Sequence, residues 1–150
     1  MSSLDELLGQ VLGVDGVRAA VLIDEATGMV VRSAGEVSSG LPAAAASMAD
    51  ETRLARRAQG PGRPGGELDW IVMSTAGSMH LTRVLQSRPG ESLLLFAELD
   101  RSRANVALAS LRIGQLAPAV LALADEHPGT SRRRGRPAPF APSGTQGLRR

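Results

Sequence analysis

Apolar residues recur with a helical period at the start of the chain and with a strand period directly after it. The helical positions are Leu4, Leu7, Leu8, Val11 and Leu12. Ser3 and Glu6 have the spacing of a capping box, in which each side chain accepts a hydrogen bond from the other residue's backbone N–H. The pattern therefore predicts a helix over about 4–13, followed by two strands over roughly 17–24 and 29–34.

A second helix, predicted over about 41–59, consists largely of small residues. Pro42 is favourable in its first turn, and Gly60 lies just past its end. Its apolar face is nearly flat and consists of Leu41, Ala44, Ala45, Met48, Thr52 and Ala55. Because small side chains let another backbone come close, we expect this helix to pack tightly on the sheet or on a second copy of itself.

Three further strands are predicted over 68–75, 79–86 and 92–99. Gly77 suits a type II′ turn in the first loop between them, and Gly90 suits a type II turn in the second. Short loops join antiparallel neighbours. Because the strands contain runs that are apolar on both faces, we expect helices on both sides of the sheet.

The last helix is predicted from about 103 to 126. Its apolar stripe consists of Val106, Ala109, Ile113, Leu116, Val120 and Leu123. The ring of Pro118 presses on the carbonyl group of Gly114, which predicts a kink between these two residues. The element order is thus α-ββ-α-βββ-α, and the predicted fold class is α+β with a five-stranded antiparallel sheet and helices on both faces.

The net charge divides the 150 residues into two parts. Residues 1–127 carry 11 Arg and all 15 acidic residues, for a net charge of −4, whereas 128–150 carry six Arg and no acid, for +6. The C-terminal part is rich in Pro, Gly, Ser and Arg and offers too little apolar surface to fold. We therefore predict one domain over 1–126 and a disordered basic tail over 127–150.

The side-chain inventory favours a protein that is not an enzyme. The chain has no Cys, Lys or Tyr and only two His, which excludes disulfides and thiolate sites and argues against a zinc cage. Turn chemistry beside Gly28, at a positive φ, explains Asp24 and Glu25 better than metal binding does. His80 lies in a strand with no Ser or Asp nearby that would suggest a catalytic triad. We predict no cofactor and no metal.

No apolar run is expected to reach the roughly 18–20 residues that a membrane span needs. The N-terminus is acidic, unlike the basic start of a signal peptide. We therefore expect a cytoplasmic protein, which partners would recruit to a membrane.

The sequence GPGRPGG over 60–66 has the G-x-G-x-x-G spacing of a dinucleotide-binding loop. In that loop the glycines follow a strand and open a helix, so that the phosphate meets the helix N-terminus. Here a helix precedes the glycines and a strand follows them, and Pro61 and Pro64 remove two amide donors. We interpret the segment as a helix stop and linker, and we predict no direct nucleotide binding.

The element order and three stretches of sequence make the chain resemble the Roadblock family (dynein light chain Roadblock type), whose fold is profilin-like. The stretches are LDELLGQVLGVDGVRAAVLIDEATGMVV, AAAASMADETRLARR and LDWIVMSTAGSMHLTRVLQSRPGESLLLFAELDRSRANVALASLRIG. The resemblance covers residues 1 to about 126. It is greatest to stand-alone bacterial members encoded beside a Ras-like GTPase and a sensor-kinase-like protein, and Pro118 and the basic tail depart from it.

The resemblance implies a non-enzymatic homodimer that acts as an adaptor or regulator of a small Ras-like GTPase, with the sensor-kinase-like protein as a further partner. In the family, two copies pair their third strands edge to edge and pack their second helices together. On this chain the implied dimer contacts are Ala45, Met48, Ala49, Thr52, Trp70, Val72 and Ser74. Arg53, Arg56 and Arg57 are candidate partner contacts, because an arginine supplied in trans stabilises a transferring phosphoryl group. A solvated, ion-paired helix end explains the same three residues.

A different class of function depends on the tail. Its run RRRGR suits nucleic acid or an acidic membrane surface, and the chain would then be an accessory protein that binds through its C-terminus. A solubilising tail without a fixed partner is the remaining interpretation. Strong salt dependence of binding, and its loss on deletion of 128–150, would distinguish the accessory role.

Overall fold

The described part of the chain folds into eight elements in the predicted order. The structure, a computed structural model, describes residues 2–60, 67–88 and 90–126. Its elements are α1 (Leu4–Leu12), β1 (Val17–Asp24), β2 (Met29–Gly35), α2 (Leu41–Gln59), β3 (Trp70–Ser74), β4 (Ser78–Arg88), β5 (Glu91–Asp100) and α3 (Val106–Glu126). The glycine-rich segment after Gly60 and the predicted tail lie outside the described residues.

All five strands form one antiparallel sheet in the order β2-β1-β5-β4-β3. This confirms the predicted fold class. A strand with neighbours on both sides and helices above and below has its side chains covered, and β1 is accordingly buried from Ala19 to Asp24. β2 and β3 lie at the two edges of the sheet, and β3 ends in three exposed residues.

Alternating side chains of the sheet form two apolar cores on opposite faces. In β5, Leu95 and Leu99 belong to the core shared with α1 and α3, whereas Leu94 and Phe96 belong to the core shared with α2. The period of two along a strand separates these sets. The domain therefore has three layers, with α1 and α3 on one face of the sheet and α2 on the other.

Two local signals read from the sequence are confirmed. In the capping box, Glu6 N donates to Ser3 Oγ (3.2 Å) and Ser3 N donates to Glu6 Oε2 (3.0 Å). Gly28 has a φ of 70°, and a Cβ there would lie 3.1 Å from Ala46 Cα. Gly28 therefore allows both the turn between β1 and β2 and the close approach of α2 to it.

Of the two hairpin turns predicted from glycines, the one after β4 agrees with the structure and the one after β3 does not. Gly90 has a φ of 77°, which the third position of a type II turn requires. The type II′ turn predicted at Gly77 is wrong, because Gly77 does not have a positive φ. Ser78 N donates to Thr75 Oγ1 (3.1 Å) instead, and Thr75 N donates to Ser78 O (2.9 Å). A threonine side chain thus closes the hairpin without left-handed backbone.

α3 continues through Pro118 as one helix, and a Cβ at Gly114 would contact nothing within 4 Å. The kink between these residues stays a prediction. By length and composition alone, α3 is apolar enough to cross a membrane, with a mean hydropathy of 1.7. By length and composition, the expectation that no apolar run is long enough for a membrane span was therefore wrong. One side of α3, including Ile113 and Val120, nevertheless packs into the core shared with α1.

The carboxylate of Asp100, at the end of β5, is held in its charged form. Ser102 Oγ and Ser102 N donate to Asp100 Oδ1 (2.7 and 3.0 Å), and Arg18 Nη2 lies 2.9 Å from Asp100 Oδ2. These hydrogen bonds, first from Ser102 and then from Arg18, lower the pKa of Asp100 from 3.8 to about 2. The same contact raises the pKa of Arg18 and joins β1 to β5.

Asp100→Asn is expected to reduce the acid sensitivity of the fold. Because the pKa of Asp100 is lower in the folded than in the unfolded chain, its charge stabilises the fold above about pH 4, and this contribution is lost as the pH falls towards 2. The urea midpoint of the wild type should therefore fall further between about pH 5 and pH 2 than that of the variant. Glu67→Gln, which removes an exposed carboxylate, should behave like the wild type. The same fall of the urea midpoint with pH in all three proteins would contradict the prediction.

Candidate interaction surface

β3 is an edge strand with no neighbour on its outer side among the strands of the described chain. It pairs only with β4, in an uninterrupted register from Trp70 opposite Arg83 to Ser74 opposite Met79. Val72 is 54% exposed and Met73 is 38% exposed, although both are apolar. A regular edge with exposed apolar side chains is a template for pairing with another chain.

An open groove lies between α2 and the β3 side of the sheet. It exists because α2 lies chiefly over β1 and β2 and leaves the same face of the sheet open towards β3. Its volume is about 200 Å³. Its walls consist of Ala44, Ser47, Met48 and Glu51 from α2 and of Ile71, Met73, His80, Thr82 and Phe96 from the sheet. The groove extends the apolar surface of the β3 edge up to α2.

Three of the predicted dimer residues belong to the chain's own core. Ala45, Ala49 and Thr52 are all 0% exposed, and Thr52 Oγ1 donates to Met48 O (2.9 Å). The two alanines pack against Val21, Ile23, Val84, Leu94 and Phe96. The flat face of α2 therefore lets the helix lie close to its own sheet. This corrects the expectation that these three residues meet a second copy, because the sheet already covers them; Met48 is half-buried and lines the groove.

Trp70 is held beneath Arg83 at the start of β3. The guanidinium carbon of Arg83 lies 5.1 Å from the indole ring centroid, a cation–π contact, and Arg83 Nη1 lies 3.7 Å from Asp69 Oδ2. Trp70 is half-buried against the core shared with α1 and α3. Val72 and Ser74, farther along the same side of the strand, are exposed. Of the predicted strand contacts, these two are therefore the most accessible.

Arg53 and Arg56 attach α2 to the turn between β1 and β2. Arg56 Nη2 lies 2.8 Å from Glu25 Oε2 and donates to Ser92 Oγ (3.2 Å). Arg53 Nη2 donates to Glu25 O (2.8 Å), and its Nη1 pairs with Asp50. Glu25 is only 7% exposed, and Ser92 Oγ also donates to its carboxylate. Two of the three arginines predicted to contact a partner are therefore engaged within the chain.

Arg57 is the remaining arginine of the three. It is exposed, and its side chain makes no hydrogen bond or ion pair with any other residue in the described part of the chain. Its backbone oxygen accepts from Gly60 N (3.1 Å) as α2 ends. Its guanidinium therefore projects at the C-terminal end of α2 with its donors available to a partner.

The carboxylates of Asp24 and Glu25 are both engaged within the chain. Asp24 Oδ1 accepts from Ala26 N (2.9 Å), and Gly28 N donates to Asp24 O (2.8 Å), which confirms the interpretation of Asp24 as a turn residue. Glu25 instead forms the buried pair with Arg56. Within residues 2–60, 67–88 and 90–126, no group of three or more His, Cys, Asp and Glu side chains is arranged to hold a metal ion.

His80 is a sheet residue that lines the groove. Its ring packs edge-on against Phe96, with 5.2 Å between the centroids, and its Nε2 lies 3.9 Å from Glu98 Oε2. It faces the same side of the sheet as Thr82, whereas Met79 and Leu81 face the other. This placement agrees with the interpretation of His80 as a half-exposed sheet histidine.

Sequence reasoning identified β3 and α2 but missed the groove between them. The alternation along β3 and β4 was enough to place Ile71, Met73 and His80 on one face. This face is open because of where α2 lies across the sheet. The sequence pattern does not predict that position. It also missed Leu54, which is 65% exposed on α2. Glu25 was assigned to turn chemistry alone because its partner Arg56 lies in another element.

No protein-family model and no curated protein matches the sequence significantly. Solved structures do match its fold. Myxococcus xanthus MglB has a TM-score of 0.70 and 14% identity, over 82% of this chain and 95% of that one. A Roadblock/LC7 domain from Streptomyces avermitilis has a TM-score of 0.66 and 20% identity, over 79% of this chain and 95% of that one. The gliding protein MglB from Thermus thermophilus has a TM-score of 0.66 and 18% identity, over 84% of this chain and 94% of that one.

These similarities cover about four fifths of the chain, and they agree with the resemblance read from the sequence. The chain has the Roadblock/LC7 fold.

Proposed function

We propose that the chain is a non-enzymatic, homodimeric adaptor or regulator of a small Ras-like GTPase in a bacterial signalling system. The observation that carries the proposal is the outer edge of β3, which pairs with no other strand of the described residues and lies beside an open apolar groove in a chain with the Roadblock/LC7 fold. In the Roadblock family, which the sequence resembles, paired third strands create a platform for such GTPases. A sensor-kinase-like protein is the further partner that the resemblance implies, and the cytoplasm is the proposed location.

Pairing of two β3 strands would continue one sheet across the dimer. Val72 is the central residue of Trp70–Ser74, so a two-fold axis through an antiparallel pair brings it close to its own counterpart. The pairing would cover the exposed apolar atoms of Val72 and Met73. It would also bring the α2 helix of the second copy towards the groove, where Met48 is accessible. The proposed contacts are therefore Met48, Trp70, Val72 and Ser74, without the three buried α2 residues.

The proposal gives the chain no catalytic step of its own. Arg53 and Arg56 are bonded to Glu25, which leaves all three unsuited to act on a substrate. A change in GTP hydrolysis would then come from the partner's own residues, or from an arginine supplied in trans. Among the three candidate arginines, Arg57 is the one whose donors are available.

Arg57→Ala is expected to weaken binding of the GTPase about tenfold while leaving the fold intact. Removal of an exposed charge that meets a partner lowers the association rate and loses charge-assisted hydrogen bonds, whereas an exposed side chain contributes little to stability. Titration calorimetry with the GTPase bound to a GTP analogue measures the change. Arg112→Ala, on the opposite face of the domain, is the matched control; equal affinities for both variants and the wild type would exclude Arg57 as a contact.

The proposal as a whole is tested with the Ras-like GTPases of the chain's own genome. Each purified GTPase, loaded with GDP or with a GTP analogue, is mixed with the full-length chain and followed by size-exclusion chromatography and by GTP hydrolysis. We expect co-elution with one GTPase in a nucleotide-dependent manner. Absence of binding to every one of them would overturn the proposed function.

A further inference from the structure

A histidine lies in the groove between α2 and β3 with a carboxylate on each of two sides. His80 Nε2 is 3.9 Å from Glu98 Oε2 of β5, and the two side chains are 28% and 36% exposed. Glu51 belongs to the α2 wall of the same groove. Its exposed side chain makes no hydrogen bond or ion pair with any other residue in the described part of the chain. Imidazole is the side chain whose charge ordinarily changes between about pH 5 and pH 8, so this group of three contains a titratable cation between two anions.

The other charged side chains at this end of the sheet have partners outside the groove. Arg18 Nη2 lies 2.9 Å from Asp100 Oδ2, and its charge also attracts Glu98. Arg101 Nη1 donates to a backbone oxygen of the loop between β3 and β4 (2.8 Å). β3 itself, which lies beside His80, contains no charged residue. Among the residues that line the groove, His80 is therefore the only one that can carry a positive charge.

The proposed dimer would change the surroundings of this histidine. Edge pairing of β3 brings the α2 helix of the second copy towards the groove, and with it a second Glu51. Water leaves a covered groove, and interactions between charges become stronger there. Burial alone disfavours a charged imidazole, but it also disfavours carboxylates that have no positive charge beside them. With Glu98 and two Glu51 side chains around one imidazole, the carboxylates decide the sign, and the dimer holds the proton on His80 more tightly than the monomer does.

We propose that His80 makes the dimerisation of this chain depend on pH, with the protonated imidazole favouring the dimer. The inference rests on the proposed function, because it requires a second copy over the groove. Coupling between two binding events is reciprocal: if the dimer binds the proton more tightly, the protonated chain dimerises more tightly by the same factor. A fall in pH therefore increases the share of the chain that presents the dimeric platform to a GTPase, and a rise in pH separates the copies.

The test is sedimentation of the full-length chain over a concentration series at about pH 6 and about pH 8, on either side of the usual titration of histidine and at one ionic strength. We expect the dissociation constant of the wild-type dimer to be about tenfold lower at the acidic pH. His80→Gln keeps a polar side chain of similar size but cannot become charged, so its dissociation constant should be the same at both pH values. Melting curves establish that the variant is folded.

Glu51→Gln is the second variant, and it changes an exposed helix position where the fold has little to lose. Without this carboxylate the dimer should be tighter at about pH 8, and the difference between the two pH values should shrink from about tenfold to about threefold. His127→Gln is the matched control. His127 is the other histidine of the sequence and lies outside the described residues, and its replacement should leave the pH dependence of the wild type unchanged.

Several results would overturn this proposal while the proposed function stands. They are a dimer of equal affinity at both pH values, a dimer that is tighter at the higher pH, and a pH dependence that His80→Gln retains. If His80→Gln does not fold, an unchanged pH dependence in Glu51→Gln overturns the proposal in its place. A wild-type chain that is monomeric at both pH values would overturn the proposed dimer and the role of His80 together.

Discussion

Val72→Lys is expected to convert a dimer of this chain into folded monomers. Val72 is 54% exposed and central in β3, so a lysine there has room in the monomer. In a two-fold strand pair the substitution is present twice, and two ammonium groups meet near the axis. Like charges brought together across an interface cost several kcal/mol, so the dissociation constant should rise at least about a hundredfold. Sedimentation over a concentration series measures this change.

Val37→Lys is the control for that experiment. Val37 has a similar exposure of 47% but lies in the loop before α2, away from β3. It should keep the wild-type dissociation constant. A wild-type chain that stays monomeric at high concentration, or a Val72→Lys variant that dimerises as the wild type does, would overturn the proposed interface. Neither result would change the assignment of the fold.

Arg56→Ala is expected to lower the free energy of unfolding by about 2–3 kcal/mol, because it leaves the buried Glu25 carboxylate without its ion-pair partner. The side chain of Glu25 is 9% exposed and that of Arg56 is 33% exposed, so part of the charge of Arg56 is already solvated. For that reason the expected loss lies below that of a fully buried pair. Among the described residues, Ser92 would then remain as the donor to the carboxylate of Glu25. Urea unfolding of the wild type and the variant measures the difference.

Arg57→Ala provides the comparison on the same helix turn. Its side chain is exposed, so its removal should change the free energy of unfolding by no more than about 0.5 kcal/mol. A double-mutant cycle with Glu25→Gln should show coupling between Glu25 and Arg56 and none between Glu25 and Arg57. Equal effects of the two arginine variants would show that the pair contributes nothing particular to the fold.

These two arginines illustrate why the function of a charged residue is difficult to predict from its position in the sequence. Arg56 and Arg57 are adjacent, and both suit a solvated helix end or a contact with a partner. Glu25 lies 31 residues before Arg56, and only the packing of α2 over the turn between β1 and β2 brings them together. A helical period places neighbouring residues about 100° apart, which is enough to turn one inward and the other outward.

The bounds of α2 and β1, by contrast, were predictable from local signals, whereas β3 is shorter than the predicted 68–75 and α3 begins at Val106 rather than near 103. The second helix predicted over 41–59 matches Leu41–Gln59, because Pro42 favours its first turn and Gly60 at a φ of 73° ends it. The strand predicted over 17–24 matches Val17–Asp24. The turn at Gly77 was predicted incorrectly, since the hydroxyl of Thr75 offers a second way to close the loop that the glycine signal does not contain.

By itself the sequence determined the order of helices and strands, the two-sided burial of the central strands and the small-residue character of α2, because each depends on the spacing of apolar side chains along one element. Only the tertiary structure decided which side of α2 meets the sheet, which strand is left at an open edge and which arginine keeps its donors free. Ala45 and Ala49 could have met either the sheet or a second copy. That choice depends on where α2 lies across the sheet, and contacts between distant parts of the chain decide it.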